Sequence, residues 1–250
     1  MDKKLTQIMD IGEQMLVCGG EVSRVEESIK RMAAAYGALR SDVFIITSSM
    51  VVTVEDQEGV CHTRTRRVTS LSTDIEKLHR LNGLVRRICA SAPDCDKVSA
   101  ELDSIRRVKP YPAPVTLFSY GFISSAFTLF FGGGTIEALC ALPIGLILGL
   151  LVLLCDRGSL NRIFAKLLCS FTAAVLAFSA VKLHLIPTAD HVIIGYIMTL
   201  IPGVGLTNAL RDLFVGDSIT GVLRTIEAVL FALAIAGGYF LALFTVGGVF

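Results

Sequence analysis

The sequence predicts a polytopic α-helical membrane protein with five transmembrane helices and an N-terminal cytoplasmic α+β domain. Three observations predict it. The 250 residues are 53% hydrophobic, with a mean hydropathy of +0.66 and 18% charged residues, where about 25% charged is usual for a globular domain. The charges are unevenly divided: 17 of the 23 Lys/Arg and 16 of the 22 Asp/Glu precede residue 115. Five long apolar stretches follow that point. A formal net charge of +1 sets nucleic acid aside as a partner, because phosphate neutralisation needs a concentrated Lys/Arg surface.

Residues 1–110 read as the α+β domain. Leu5, Ile8, Met9, Gly12, Met15 and Leu16 recur at helical spacing, as do Val22, Val25, Ile29, Met32 and Tyr36 after the Gly19-Gly20 break; two packed helices are expected. The β-branched run Val43 to Val54 reads as one strand, and EDQEG turns it into the more polar VCHTRTRRV to make a hairpin. Ile75, Leu78, Leu81, Val85 and Ile88 mark a third helix, and Val98, Leu102 and Ile105 a fourth. The opening MDKKLTQIMDIGEQ has no apolar run of the kind a secretory signal needs, so the domain is expected to stay in the cytoplasm. Seven cysteines without a CxxC pair give no support to a disulfide scaffold or structural zinc. His62 and His79 lack ligand spacing and no Gly-rich loop ends in Lys-Ser/Thr, so neither metal nor cofactor is expected. Gly20, Glu21, Arg24 and Glu26, with Glu27, form the densest polar cluster beside a turn. First-turn acids commonly favour a helix N-terminus; contact with a ligand or partner is the alternative.

Residues 111–250 read as the membrane domain, entered through the stiff Lys109-Pro-Tyr-Pro-Ala-Pro114 hinge. The apolar stretches 115–131, 138–155, 163–181, 192–210 and 228–250 are each long enough to cross a bilayer. Lys166 is the only charge inside them and lies near an end, where it can snorkel. Arg106, Arg107, Lys109, Arg157, Arg162, Lys166, Arg211 and Arg224 fall on one side against Lys182 on the other, which makes the first side cytoplasmic and the C-terminus external. Five spans cannot hold two equal inverted halves, so a partner is expected to supply the rest. Gly132-Gly133-Gly134 with Glu137 reads as an outer turn, and His184, Asp190 and His191 as decoration of another outer loop.

IMTLIPGVGLTNALRDLFVGDSITGVLRTIEAVL carries the most information. Pro202 removes a backbone donor, and Gly203 and Gly205 permit irregular backbone, so the fourth helix should break there. Backbone freed inside a bilayer is tolerated only against protein or a watery cavity, where it can hold a polar solute. Asn208, Arg211 and Asp212 then form a polar stripe, which Thr220, Arg224 and Glu227 repeat on the next helix. Charges at a span end are also routine interfacial features, and Arg224 and Glu227 could simply pair. Two arginines beside a half-helix end suit a carboxylate, which guanidinium grips with two hydrogen bonds. Pro202, Gly203, Gly205, Asn208, Arg211 and Arg224 are therefore the candidate solute-binding residues.

GGEVSRVEESIKRMAAAYG and LIPGVGLTNALRDLFVGDSITGVLRTIEA, with a hairpin between them and five spans around them, resemble the threonine/serine exporter family over essentially the whole chain. The resemblance implies efflux across the bacterial inner membrane, of threonine and serine in one branch and of succinate in a split branch, driven by the proton gradient. It implies the larger subunit of a split pair, working with a small all-membrane subunit in a higher oligomer. The matching positions are Pro202, Gly203, Asn208, Arg211, Asp212, Gly216, Asp217, Gly221, Arg224 and Glu227, with Gly20, Glu21, Arg24, Val25 and Glu26 in the soluble motif. In such an exporter Asp212, Asp217 or Glu227 would carry the coupled proton. Two other classes compete with this reading. One is a membrane-anchored sensor or scaffold whose cytoplasmic domain binds a ligand; the other, an intramembrane enzyme, lacks paired acids or a Ser/His set within the spans.

Overall fold

The computed structural model describes residues 1–69, 71–158 and 160–246. The chain divides into two compact units, Met1–Lys109 with Val204–Thr225, and Pro110–Gly203 with Ile226–Phe250.

In the first unit the amphipathic repeats fold as α1 (Asp2–Val17) and α2 (Val22–Ala35), each burying its apolar stripe. Leu5, Ile8, Met15 and Leu16 of α1 meet Val22, Val25, Ile29 and Met32 of α2 at 0–1% exposure. The sheet is a three-stranded antiparallel meander of β1 (Arg40–Ile46), β2 (Ser49–Glu55) and β3 (Cys61–Arg67). The expected single strand over 43–54 is thus two strands. Ile46 pairs with Ser49, so Thr47 and Ser48 form a tight turn, and the flanking β-branched run conceals a short polar hairpin connection. Met50, Val52 and Val54 of β2 are fully buried at alternate positions, as a strand with one face on a core requires. β3 keeps its charges at the surface, where Arg66 bonds Asp10 at 2.6 Å. Helices α3 (Ile75–Ser91) and α4 (Cys95–Arg106) complete this core, and the side chains of Asp74 and Asp94 cap their first turns.

The second unit contains α5 (Ala113–Phe130), α6 (Thr135–Arg157), α7 (Arg162–Lys182), α8 (Asp190–Leu200) and most of α10 (Ser218–Thr245). Small residues let these helices approach closely: Gly121 of α5 abuts the Leu142 carbonyl of α6, and Gly195 of α8 abuts the Ser124 carbonyl and Thr128 of α5. Such contacts drive packing where lipid removes the hydrophobic incentive. Ser124 and Thr128 are fully buried, but Thr128 donates to the Ser124 carbonyl at 2.8 Å and the Ser124 hydroxyl meets that of Thr199 at 3.2 Å, so both hydroxyls stay satisfied.

Among the described residues four helices, α5, α6, α7 and α10, are long and apolar enough to cross a membrane, and a fifth candidate is the bent pair α8 with α9 (Gly203–Val215). The fourth stretch is therefore not one continuous helix: α8 has 11 residues, about 16 Å at 1.5 Å per residue, roughly half a 30 Å hydrocarbon core. Pro202 brings no N–H to its last turn, and Lys166 of α7 donates its ammonium to the Leu200 carbonyl at 2.7 Å. Lys166 thus serves a broken helix end as well as lying near a span end. The last helix starts at Ser218, ten residues before the predicted stretch; residues 247–250, and with them the expected placement of the C-terminus, lie outside the described residues.

Lys166→Met should lower the unfolding free energy of the purified chain by about 1.5–3 kcal/mol, the worth of a hydrogen bond to a charged group. Unfolding titrations in mixed detergent micelles measure it, and a methionine variant of native stability would deny the cap any structural role.

Candidate functional site

The first unit builds its polar centre from two tight turns far apart in sequence. At the end of α1, the Gly20 amide reaches the Met15 carbonyl (2.8 Å) and the Gly19 amide the Leu16 carbonyl (3.0 Å), closing the helix in the manner of a Schellman motif. At the end of α9 the Asp217 amide reaches the Asp212 carbonyl at 2.9 Å. Gly216 lies between them at φ +102°, a backbone conformation open to glycine at little cost. Gly221 then lets the first turn of α10 lie against α9; a Cβ there would fall 2.8 Å from the Leu213 amide nitrogen.

The two turns are joined by hydrogen bonds and ion pairs. Arg211 donates to Glu21 at 2.8 Å and Asn208 to the Gly19 carbonyl at 3.4 Å. Arg224 divides its guanidinium between Asp212 at 2.9 Å and the Gly20 carbonyl at 3.3 Å. Arg24 adds an ion pair to Glu21 at 3.2 Å, although its alignment leaves the buried Glu21 Oε2 without a hydrogen bond. Nearby, Glu26 accepts the Ile45 amide of β1 at 3.2 Å.

The two arginines differ sharply in setting. Arg224 and Asp212 are 10% and 1% exposed, a buried pair whose partners each depend on the other's charge. Arg211 is 51% exposed against 16% for Glu21, so its guanidinium remains accessible from water. Burial, and then the neighbouring Asp217 charge, push the Glu26 carboxyl above its ordinary range, while the Ile45 amide and Lys30 partly oppose the shift. Among the described residues no group of three His, Cys, Asp or Glu side chains could hold a metal ion.

The family model described as "Putative threonine/serine exporter" matches residues 6–246, a range that takes in both turns and every helix of the membrane unit. The chain belongs to the threonine/serine exporter family. Among curated relatives, a "Probable threonine/serine exporter" of Mycobacterium tuberculosis is 25% identical over 96% of this chain and 46% of its own length. A "Pheromone-regulated membrane protein 10" of Eremothecium gossypii is 23% identical over 92% of this chain and 32% of its own. The chain thus spans less than half the length of either relative. No solved structure matches it.

Within this exporter-family chain, Asn208, Arg211, Asp212, Asp217 and Arg224 come together with Gly20, Glu21, Arg24 and Glu26 in the first unit. Gly205 sits exposed on the first turn of α9. Pro202, Gly203 and Glu227 belong to the second unit, where Glu227 is exposed on α10. Arg224 pairs with Asp212, in place of the Arg224–Glu227 pair weighed from spacing alone. The sequence signalled both motifs but not their union: neither shows which carboxylates face which arginines across about 190 residues of chain. Charge balance offers no signal for it either, since residues 203–227 hold two bases and three acids of their own.

Arg224→Gln should destabilise the chain by about 3–5 kcal/mol, because Asp212 is left buried and unpaired, and adding Asp212→Asn should recover most of the loss. Arg211→Gln should cost no more than about 1 kcal/mol, as exposed pairs do. Chemical unfolding of the three variants gives the comparison, and equal costs for the two single variants would contradict it.

Glu26 has a raised folded-state affinity for its proton. Its contribution is fully present below the ordinary carboxylate range and is lost as pH rises through the raised value. Glu26→Gln keeps an oxygen for the Ile45 amide and removes the buried charge. The variant should melt higher than the native chain at neutral pH, with the gap closing at mildly acidic pH; a pH-independent difference would be inconsistent with this.

Proposed function

We propose that this chain is a subunit of a secondary exporter of small carboxylate-bearing metabolites in the bacterial inner membrane, with threonine or serine as leading candidates and succinate or a related C4-dicarboxylate as the other. Family membership supports export over a membrane-anchored sensor. The observation that carries the solute class is that both arginines of the polar motif already hold carboxylates of their own chain, Arg211 with Glu21 and Arg224 with Asp212. Positions that grip an internal carboxylate in two places are chemically suited to a solute carboxylate. Arg211 is the residue for first contact because it is half exposed; the solute would displace Glu21 from it. Arg224, sealed against Asp212, positions the hairpin on which Arg211 sits.

In this reading the bent α8–α9 pair counts as a crossing, giving five spans with residues 1–110 on the cytoplasmic side, as the Lys/Arg distribution favours. Pro202, Gly203 and Gly205 supply the irregular backbone at the break, and Asn208 accompanies Arg211. Asp217 and Glu227 are the acids left to carry a coupled proton, since Asp212 is committed to Arg224. A small membrane subunit completes the assembly, since five spans cannot form two equal inverted halves, and the pair assembles further into an oligomer.

Efflux of labelled threonine, serine and succinate from cells, with and without this chain, tests the proposal. Deletion should abolish efflux of at least one solute. Arg211→Gln should raise the apparent KM for it about 10- to 100-fold, equivalent to about 1.5–3 kcal/mol for a charge-assisted hydrogen bond. Unchanged efflux of all three solutes on deletion would sink the transport reading.

A further inference from the structure

The second unit holds a buried acid that the polar hairpin does not use. Glu137, in the first turn of α6, is 5% exposed. Its Oε2 accepts the Gly134 amide at 2.7 Å, closing the first turn, and its Oε1 accepts the Thr188 hydroxyl at 3.4 Å. His191, in the first turn of α8, places Nδ1 3.2 Å from both carboxylate oxygens. The pair therefore ties the start of α6 to the start of α8, at the end of α8 away from the Pro202 break.

Capping alone accounts for the Gly134 contact, because glutamate or glutamine at the third helical position completes a capping box. It does not account for His191. A carboxylate this deeply buried at a span end is costly without an opposing charge, and imidazole is the side chain whose charge switches near neutral pH. The His191 side chain is 35% exposed, so the pair is reachable by water from one side. A cavity of about 820 Å³ begins one residue from Glu137 and one from Thr188, lined by Ile136, Lys182, His184 and Pro187 among others. The titratable groups on the elements that meet here are Glu137 on α6, Lys182 ending α7, His184 in the connection, and Asp190 and His191 on α8; α5 from Gly121 to Phe130 has no titratable side chain.

We propose that Glu137 and His191 form a proton-binding pair of the transport cycle, loaded through the Lys182–His184 cavity, whose protonation sets how tightly α8 is held against α6. This rests on the exporter reading and adds to it a proton site at the opposite end of α8 from the break. A proton on the imidazole gives an ion pair that clamps the two helix starts. Its loss leaves a hydrogen bond from a neutral imidazole to a carboxylate without a counter-charge, and the clamp loosens. Because α8 is only 11 residues long, a change at its first turn lies three turns from the irregular backbone after Leu200.

The test uses Glu137→Gln, which keeps the cap, and His191→Asn, which keeps an N–H donor near Nδ1. In the purified full chain, the dependence of the unfolding midpoint on pH between about 5 and 8 should flatten in both variants by the same amount, and in the double variant by no more than in either. In cells, labelled threonine or succinate efflux should lose its pH dependence over the same window. An unfolding profile in either variant that tracks the native one shows that the pair binds no proton there and overturns the proposal. A flattened unfolding profile with a native efflux profile shows a proton site outside the transport cycle, which overturns it equally. A native chain that exports none of the solutes overturns the exporter reading instead, while the unfolding profiles still report whether the pair takes up a proton.

Discussion

The pyrrolidine ring of Pro202 has no N–H to give a helix and crowds the carbonyl one turn back. Everything distinctive in the last third of the chain follows from how that interruption is absorbed. The helix before it stops at Leu200, and Lys166 reaches from α7 to satisfy the carbonyl left behind. The helix after it, α9, groups with the N-terminal residues through a striped face of Asn208, Arg211 and Asp212. A continuous apolar helix would have had no reason to carry that stripe, since charges facing hydrocarbon are expensive.

The two arginines on the α9–α10 hairpin show how burial assigns different work to identical side chains. Arg224 is enclosed, divides its donors between a carboxylate and a backbone carbonyl, and gains geometric definition at the cost of desolvation. Arg211 keeps half its surface in water, where an ion pair is weak and exchangeable. In the proposed exporter the first would hold the frame and the second would exchange its partner.

Much of this was legible in residue spacing. Helices α1 to α4 follow from apolar residues at three- and four-residue intervals, the broken fourth segment from Pro202 with its glycines, and the polar hairpin from charges in an apolar context. The sheet was only half legible: twelve residues from Val43 to Val54 look alike to a strand propensity, and Thr47-Ser48 is too weak a turn signal to divide them. The pairing of the two motifs at the centre of the first unit was not legible. Glu21 read as an ordinary first-turn acid because its partner is 190 positions away, and local periodicity carries no information about such distances. Glu137 was similarly hidden, since an acid following three glycines looks like a helix start whether or not a histidine 54 positions later faces it.

The first unit is discontinuous, and that has a consequence for its birth. Among the described residues its main apolar cluster runs from Leu5 to Ile105, so it can collapse while the spans are still being made. The α9–α10 hairpin comes much later: at about 5–20 residues per second, a separation of 190 residues is about 10–40 s of synthesis. Throughout that interval Glu21 and Glu26 are hydrated on a folded globule, and the desolvated arrangement forms only when the hairpin arrives. The loop closed by that event is long, so its entropic cost is paid at the end. Residues 1–110 released on their own would be a well-packed but permanently early state, with an anionic turn awaiting its arginines.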